Sequence, residues 1–235
     1  MNAPARSGRA LDEFEAKRLL AGYGVPVIAE ARAADADAAA AAARALGYPV
    51  ALKGCGAAFA HKTELGLVAL DLRDEAALRE AAARLQAAMR ATVPSGAREG
   101  TARAGDAGTG LLVQRMARGR REFLAGFSRD PVYGPVVSFG LGGIFAEALA
   151  DVALRLAPLE ADDARAMLGE IRARALLGPV RGLPAVDTDA LVGILLALSR
   201  LALERPDIAA VDINPLVVDS AQPVAVDALV LIGSP

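Results

Sequence analysis

The sequence is short of several residue types, and each shortage excludes a class of function. It has no tryptophan and only 4% aromatic residues among 235, so it lacks a platform on which single-stranded bases would stack. A formal net charge of -2 gives no basic surface for nucleic acid phosphates. Its single cysteine, Cys55, excludes an internal disulfide and a multi-cysteine zinc site.

Long apolar runs are also missing. No apolar stretch reaches the roughly 18 residues that a membrane span needs. The first residues lack the apolar core of a signal peptide. The sequence therefore predicts a soluble, cytoplasmic protein that binds neither nucleic acid nor membrane.

Lysine and histidine are unusually scarce. Only three of the 26 basic residues are lysines, Lys17, Lys53 and Lys62, and the one histidine is His61. Where arginine stands almost everywhere, a remaining lysine is expected where a compact ammonium is needed. Two of the three lysines flank His61. A nucleophilic imidazole has to come from His61, although a lone histidine is more often a surface residue or a satisfied core residue.

The first half of the chain alternates helical and strand patterns, which is typical of an α/β lobe. Glycines end the first two helical patterns, and Asp74 is expected to begin the third helix. The predicted helices are 11–22, 35–46 and 74–92, and the predicted strands are 25–28, 50–53 and 66–71. A small lobe at about residues 24–93 follows from this order. Residues 94–109 have no periodicity and predict a flexible connection.

A larger lobe is expected at about residues 110–235, with the helix 11–22 packed on it. Segments 111–114 and 122–127 look like paired strands. Further strands and helices are predicted at 135–139, 160–173, 188–204, 209–213 and 223–227.

Three groups of residues are candidates for phosphate chemistry. Lys53 is expected to end a buried strand, so that its ammonium emerges at the sheet edge. The glycines Gly140, Gly142 and Gly143 follow a strand, where backbone N–H groups can approach an anion. The oxygens of Asp212, Asn214 and Asp227 suit Mg²⁺ and are expected at the ends of two strands. Taken singly, these features are also explained by a surface lysine, a glycine turn and an Asp-x-Asn-Pro turn.

Taken together, these stretches resemble the ATP-grasp part of the ADP-forming acetyl-CoA synthetases, which are relatives of the succinyl-CoA synthetase β chain. The resemblance runs from about Leu11 to Gly233, with the motifs in the family's order. The matching stretches are residues 11–17, 50–53, 61–66, 113–116, 129–135, 139–143 and 212–216.

The resemblance implies an α/β (α+β) ATP-grasp fold of two lobes with the nucleotide site between them. It also implies a reversible reaction in which acyl-CoA, ADP and phosphate give free acid, CoA and ATP. By this resemblance His61 carries the phosphoryl group as phosphohistidine. The nucleotide residues it implies are Lys53 for phosphates, Gln114, Arg115 and Met116 for adenine, and Glu122 for ribose. Asn214 and Asp227, with Asp212 nearby, are implied to hold Mg²⁺.

The family's CoA-binding half is absent from these 235 residues. The resemblance therefore implies a β-type subunit, an acid–thiol ligase component that needs a CoA-binding α-type partner in a hetero-oligomer. Two alternatives stay open from the sequence: a non-catalytic ATP-binding regulatory module, and an ATP-grasp carboxylate ligase in which His61 has no relay role.

Overall fold

The computed structural model describes residues 9–56, 65–92, 110–143 and 146–233. The strands are β1 (Arg9–Ala10), β2 (Glu30–Ala33), β3 (Val50–Cys55), β4 (Val68–Leu72), β5 (Gly110–Arg115), β6 (Arg121–Asp130), β7 (Gly134–Leu141), β8 (Val152–Leu156), β9 (Ile208–Asp219), β10 (Gln222–Ala225) and β11 (Ala228–Ile232). The helices are α1 (Glu13–Gly22), α2 (Ala36–Leu46), α3 (Glu75–Thr92), α4 (Ala146–Leu149), α5 (Ala161–Glu170) and α6 (Thr188–Glu204), with a 3₁₀ helix at Arg172–Leu177. Among the described residues, no helix is both long enough and apolar enough to span a bilayer.

The chain divides into two compact units. The smaller unit contains Asp12–Phe14 and Ile28–Met116, and the larger contains Met1–Leu11, Glu15–Val27 and Ala117–Pro235. Within the described part of the chain, the named strands pair antiparallel throughout, and one isolated bridge, between Val27 and Ala225, is parallel. Because the chain contains both helices and β-sheets, the fold is mixed α and β, as the sequence predicts.

The smaller unit is a four-stranded sheet in the order β2-β5-β3-β4, with α2 and α3 packed on it and on each other. Alanine favours the helical conformation and has a small side chain. Ala39, Ala40 and Ala43 of α2 are completely buried, so α2 can pack closely. The Asp35 and Asp74 carboxylates each accept a backbone N–H bond of 2.8 Å in the first turns of α2 and α3. The prediction that Asp74 begins α3 is confirmed.

One strand belongs to a different sheet from the one expected. The prediction that segments 111–114 and 122–127 pair is wrong, because β5 pairs with β2 and β3 while β6 pairs with β7 and β9. Residues 110–116 therefore complete the smaller unit, and the expected start of the larger lobe at residue 110 is too early. Ladder pairing joins residues far apart in sequence, and local periodicity does not contain that information.

The larger unit is a seven-stranded sheet in the order β1-β11-β9-β6-β7-β8, with β10 paired to β9. The helices α5 and α6 pack on it. Phe123 and Phe139 stack within its core with ring centroids 5.5 Å apart, and Ala16 and Leu20 of α1 lie in the same core. On β6, β7 and β9 the residues facing this core alternate with residues on the opposite face of the sheet.

The β6–β7 hairpin is held in place by its own polar residues. Arg129 donates hydrogen bonds to the carbonyl oxygens of Ala202, Arg205 and Ile208, at and just beyond the end of α6. The Asp130 carboxylate accepts from the N–H groups of the next turn, and these bonds lower the pKa of Asp130. Turn and helix-end chemistry thus explain the stretch at residues 129–135, one of those that carry the family resemblance.

A buried aspartate fixes the 3₁₀ helix, and it gives a testable prediction. Burial alone would raise the pKa of Asp151, but 2.7 Å hydrogen bonds from the N–H groups of Arg172 and Ala173 prevail and lower it. Asp151→Asn is expected to lower the free energy of unfolding by about 1–2 kcal/mol near pH 7. A group with a lowered folded-state pKa stabilises above its unfolded pKa of about 4, and that contribution disappears as the pH falls.

The measurement is chemical denaturation of both proteins between pH 7 and pH 3. The difference in free energy of unfolding between wild type and Asp151→Asn is expected to shrink below about pH 4. Asp162→Asn is the control, because that side chain is 99% exposed. A difference that is constant with pH would contradict this account of Asp151.

Candidate functional site

In the larger unit, three of the predicted site elements meet at the end of β7. The Gly143 N–H donates a 3.2 Å hydrogen bond to Asn214 Oδ1, and the Gly142 N–H donates a 2.9 Å bond to the Glu122 carbonyl oxygen. Gly143 has a φ of +74°, and a Cβ there would stand 2.1 Å from Glu122 Oε2. The glycine turn, Glu122 and Asn214 therefore form one group. Gly140 precedes them in β7, where a Cβ would lie 2.3 Å from the Asp151 carbonyl oxygen.

Asp212 and Asn214 project from the middle of a strand. The prediction that they lie at a strand end is wrong, because β9 continues to Asp219. Val211 and Ile213 are buried while Asp212 and Asn214 are exposed, as the alternation of a strand requires. Pro215 is tolerated because the β6–β9 register shifts at this point, between Phe123 and Ala125 on β6.

The two aspartates affect each other. Across β9 and β11, Ala228 lies opposite Ile213 and Leu229 opposite Asp212, so the preceding residue, Asp227, continues towards Asn214 and lies diagonally from Asp212. Partial desolvation by the surrounding protein raises the pKa of Asp212, and the charge of the Asp227 carboxylate raises it further. A divalent cation bound between two neighbouring carboxylates would relieve the repulsion between their negative charges. The donor set therefore suits Mg²⁺.

The protein ligands at this point are few. Within the described ranges, no three side chains drawn from histidine, cysteine, aspartate and glutamate form a metal-binding cluster. A Mg²⁺ ion here would take its other ligands from the Asn214 amide, water and nucleotide phosphates, which is usual for this ion.

In the smaller unit, Lys53 lies inside β3 and not at its end. β3 continues to Cys55, so the prediction of a strand end at Lys53 is wrong, and the residue is only 5% exposed. Its Nζ forms a 2.7 Å ion pair with Glu13 Oε1, and Glu13 is 4% exposed. The ammonium therefore has a buried carboxylate partner in addition to any phosphate that it binds.

A second buried carboxylate lies next to this pair. Asp12 forms an ion pair with Arg32, and both approach the Cys55 Sγ, at 3.6 Å from Asp12 Oδ1 and 3.8 Å from Arg32 Nη2. Burial, then the Asp12 charge, raise the pKa of Cys55 more than Arg32 lowers it. The thiol is therefore protonated near neutral pH and is a poor nucleophile.

The three predicted adenine residues end β5 and follow it. Gln114 is buried, and its side-chain amide donates a 3.1 Å bond to Glu30. The N–H of Arg115 donates to the Ala29 carbonyl at 2.9 Å, whereas the N–H of Met116 reaches the Pro49 carbonyl only at 3.4 Å. The longer bond is the weaker one, so a ligand acceptor would displace the Pro49 carbonyl from the Met116 N–H more easily than the Ala29 carbonyl from the Arg115 N–H.

His61 lies in residues 57–64, outside the described part of the chain. The remaining predicted site residues fall into two groups, one in each unit. The sequence prediction missed Glu13, Asp12 and Arg32. For Glu13 the sequence did contain a signal. Glu13 shares the helical spacing of Ala16 and Leu20 in α1, so it is a charged residue on an apolar helix face.

Comparisons with known proteins agree with this architecture. Residues 2–232 match the ATP-grasp domain family. The β subunit of acetate–CoA ligase [ADP-forming] I from Pyrococcus furiosus is 36% identical over 225 residues, covering 95% of this chain and 92% of that subunit. The chain spans only 32% of acetate–CoA ligase [ADP-forming] I from Archaeoglobus fulgidus, at 33% identity over 97% of this chain.

Solved structures of one archaeal enzyme, the dinucleotide-forming acetyl-coenzyme A synthetase 1 of Ca. Korarchaeum cryptofilum, share the fold. One, with coenzyme A, Ca-AMPCP and HgCl+, matches with a TM-score of 0.85 and 35% identity, covering 95% of this chain and 93% of that one. A second, with coenzyme A and Mg-AMPPCP, has its phosphohistidine segment pointing towards the nucleotide binding site; its TM-score is 0.79 at 32% identity, with the same coverage. This chain therefore belongs to the ATP-grasp family and, within it, to the β subunits of the ADP-forming acetate–CoA ligases.

Proposed function

We propose that this chain is the nucleotide-binding β-type subunit of an ADP-forming acyl-CoA synthetase and that it passes a phosphoryl group between a partner subunit and ADP. The observation that carries the proposal is the match over 92% of a separate β subunit, so that the resemblance is to a whole subunit and not to a shared fragment. Lys53, Asp212, Asn214 and Asp227 support it, since each has the chemistry that a Mg²⁺-nucleotide site needs.

Each proposed nucleotide ligand would have a separate role. Lys53 would neutralise phosphate charge, the Gln114–Met116 segment would contact the base, and Glu122 would bind the ribose. Asn214 Oδ1 and the carboxylates of Asp227 and Asp212 would hold Mg²⁺. The ion supplies charge neutralisation on the phosphate oxygens as the phosphoryl group moves.

His61 would be the phosphoryl carrier. In the direction from ATP, a neutral imidazole nitrogen attacks the γ-phosphorus, an N–P bond forms, and the bond from that phosphorus to the bridging oxygen of ADP breaks. The reverse step transfers the group to ADP. A carrier of this kind is useful when two reacting sites are too far apart for direct transfer.

The acyl-CoA chemistry would belong to a CoA-binding α-type subunit. The Archaeoglobus fulgidus relative, of which this chain spans about a third, has ample length for such a part in one polypeptide. The full reaction is therefore expected only when this chain is combined with an α-type subunit.

The Mg²⁺ part of the proposal has a direct test. Asn214→Ala is expected to weaken Mg²⁺ binding in the ADP complex at least tenfold or so, because the amide oxygen is one of few protein ligands. The measurement is a Mg²⁺ titration of fluorescent ADP binding to the purified chain. Asn2→Ala, which changes the only other asparagine, is the control and should bind like wild type.

Two other outcomes would contradict the proposal, one for the metal site and one for nucleotide binding. Unchanged Mg²⁺ affinity in Asn214→Ala would remove Asn214 from the metal site. A wild-type chain that binds neither ADP nor ATP would overturn the proposed function as a whole.

A further inference from the structure

Glu13 has no role in the site described above, yet it forms a short, buried contact with one of its central residues. We propose that Glu13 is a positioning residue, whose carboxylate holds the Lys53 ammonium where it meets nucleotide phosphates. The inference rests on the proposed function and adds a residue to it. The observation that carries it is the 2.7 Å ion pair between Lys53 Nζ and Glu13 Oε1, with the two side chains only 6% and 1% exposed.

The surroundings of the pair explain why Lys53 needs a partner. β3 is an inner strand, and Lys53 is paired with Val68 on one side and Leu112 on the other. The lysine backbone is thus fixed while its four-carbon side chain still has many rotamers. An ammonium buried in such a place is costly unless it is paired. The carboxylate selects the rotamers that bring Nζ to Oε1, and so sets the point in space where the charge lies.

A lysine ammonium can hold a carboxylate and a phosphate together. An ammonium has three N–H donors and can bond more than one acceptor, of which Glu13 Oε1 is one. A doubly or triply charged nucleotide tail brings more negative charge than the single carboxylate. Lys53 can therefore bridge Glu13 and a phosphate oxygen at the same time, with no need to release Glu13.

The position of Glu13 in its helix supports a role beyond packing. Glu13, Ala16, Lys17 and Leu20 follow the spacing of one helical face, and all four are at most 4% exposed. An ordinary amphipathic helix has apolar residues at every such position. A glutamate there is costly, although the first turn of a helix is the best place for it because the helix dipole favours a negative charge.

The test compares ligands that differ only in phosphates. Glu13→Gln keeps the size and an acceptor oxygen but removes the charge. It is expected to weaken ADP binding about tenfold, because a neutral amide oxygen holds the Lys53 ammonium less firmly than a carboxylate does, while leaving adenosine binding within about twofold. A damaged fold would weaken both ligands. The measurement is the Kd of each ligand for the purified chain by calorimetry with Mg²⁺ present.

A double-mutant cycle assigns the effect to Lys53. Lys53→Met is expected to weaken ADP binding at least as much as Glu13→Gln, and adding Glu13→Gln to Lys53→Met should weaken it no further. Asp12→Asn is the matched control, since it removes the charge of the neighbouring buried carboxylate, which forms its ion pair with Arg32. That variant should bind ADP like wild type.

The results separate this inference from the proposed function. If wild type binds ADP and Lys53→Met weakens it, but Glu13→Gln binds ADP as well as or better than wild type, the positioning role is wrong and the proposed function stands. Equal losses for ADP and adenosine in Glu13→Gln would also overturn the positioning role. If wild type binds no nucleotide, the proposed function fails first.

Discussion

Replacing His61 with alanine is expected to abolish formation of a phosphorylated protein and to reduce coupled ATP synthesis by at least about 10³-fold, the scale of loss when a covalent nucleophile is removed. His61 is the only histidine of this chain, so no other imidazole of this chain can take over. The measurement is labelling with [γ-³²P]ATP and Mg²⁺. The label on wild type should be lost in acid and retained in alkali, which distinguishes an N–P bond from a phosphoserine ester.

Nucleotide binding provides the internal control for this variant. His61→Ala should bind ADP within about twofold of wild type, because the proposed nucleotide ligands are other residues. Full coupled activity of His61→Ala with an α-type subunit would refute the relay. Binding of ATP by wild type without any acid-labile label would instead favour a nucleotide-sensing module.

Local features of the fold follow from the sequence. Aspartates set the starts of α2, α3 and α6, where Asp35, Asp74 and Asp187 each accept an N–H bond in the first turn, as was expected for Asp74. Each signal lies within four residues of the structure it determines. This is why the sequence alone predicts these helices well.

Sheet organisation does not follow in the same way. β5 lies beside β3 through pairs such as Lys53 with Leu112, although the described elements β4 and α3 stand between the two strands in the chain. The segment 25–28 has strand-like residues but only one isolated bridge, between Val27 and Ala225, while the neighbouring β2 was not anticipated. Whether an extended segment becomes a strand depends on its partner.

In the candidate site, too, the sequence predicts local features but not how distant residues come together. The residue types of Lys53, Asp212, Asn214 and Asp227, together with the family resemblance, lead to the prediction of phosphate and Mg²⁺ chemistry. Their geometry is not, since the position of Asn214 depends on a bulge opposite β6 and that of Asp227 on the register of β11 with β9. Resemblance to a family supplies roles for single residues but not the contacts, such as Glu13 with Lys53, that hold them.

Glycine at position 142 is expected to be required by the sheet, and Gly142→Ala should lower the free energy of unfolding by about 3 kcal/mol. A Cβ at this position would lie 2.4 Å from both the carbonyl carbon and the carbonyl oxygen of Phe123, and 3.0 Å from the Leu124 nitrogen. These are backbone atoms of an inner strand, which cannot turn away as a side chain would. Strand β6 has to shift, and the hydrogen bond from the residue 142 N–H to the Glu122 carbonyl is disturbed with it.

Gly193→Ala is the matched control for this substitution. It makes the same change inside α6, where a Cβ would meet nothing within 4 Å, and it should be neutral or stabilising by up to about 1 kcal/mol. For a chain of this size, Gly142→Ala is expected to lower Tm by roughly 6–12 °C in thermal unfolding. Because Glu122 moves with β6 and lies against Gly143, whose N–H bonds Asn214, the variant should also lose Mg²⁺-dependent ADP binding at temperatures where it is folded. A Gly142→Ala protein as stable as Gly193→Ala would show that β6 and the glycine turn do not pack as closely as described, and the link from Glu122 through Gly143 to Asn214 would fail with it.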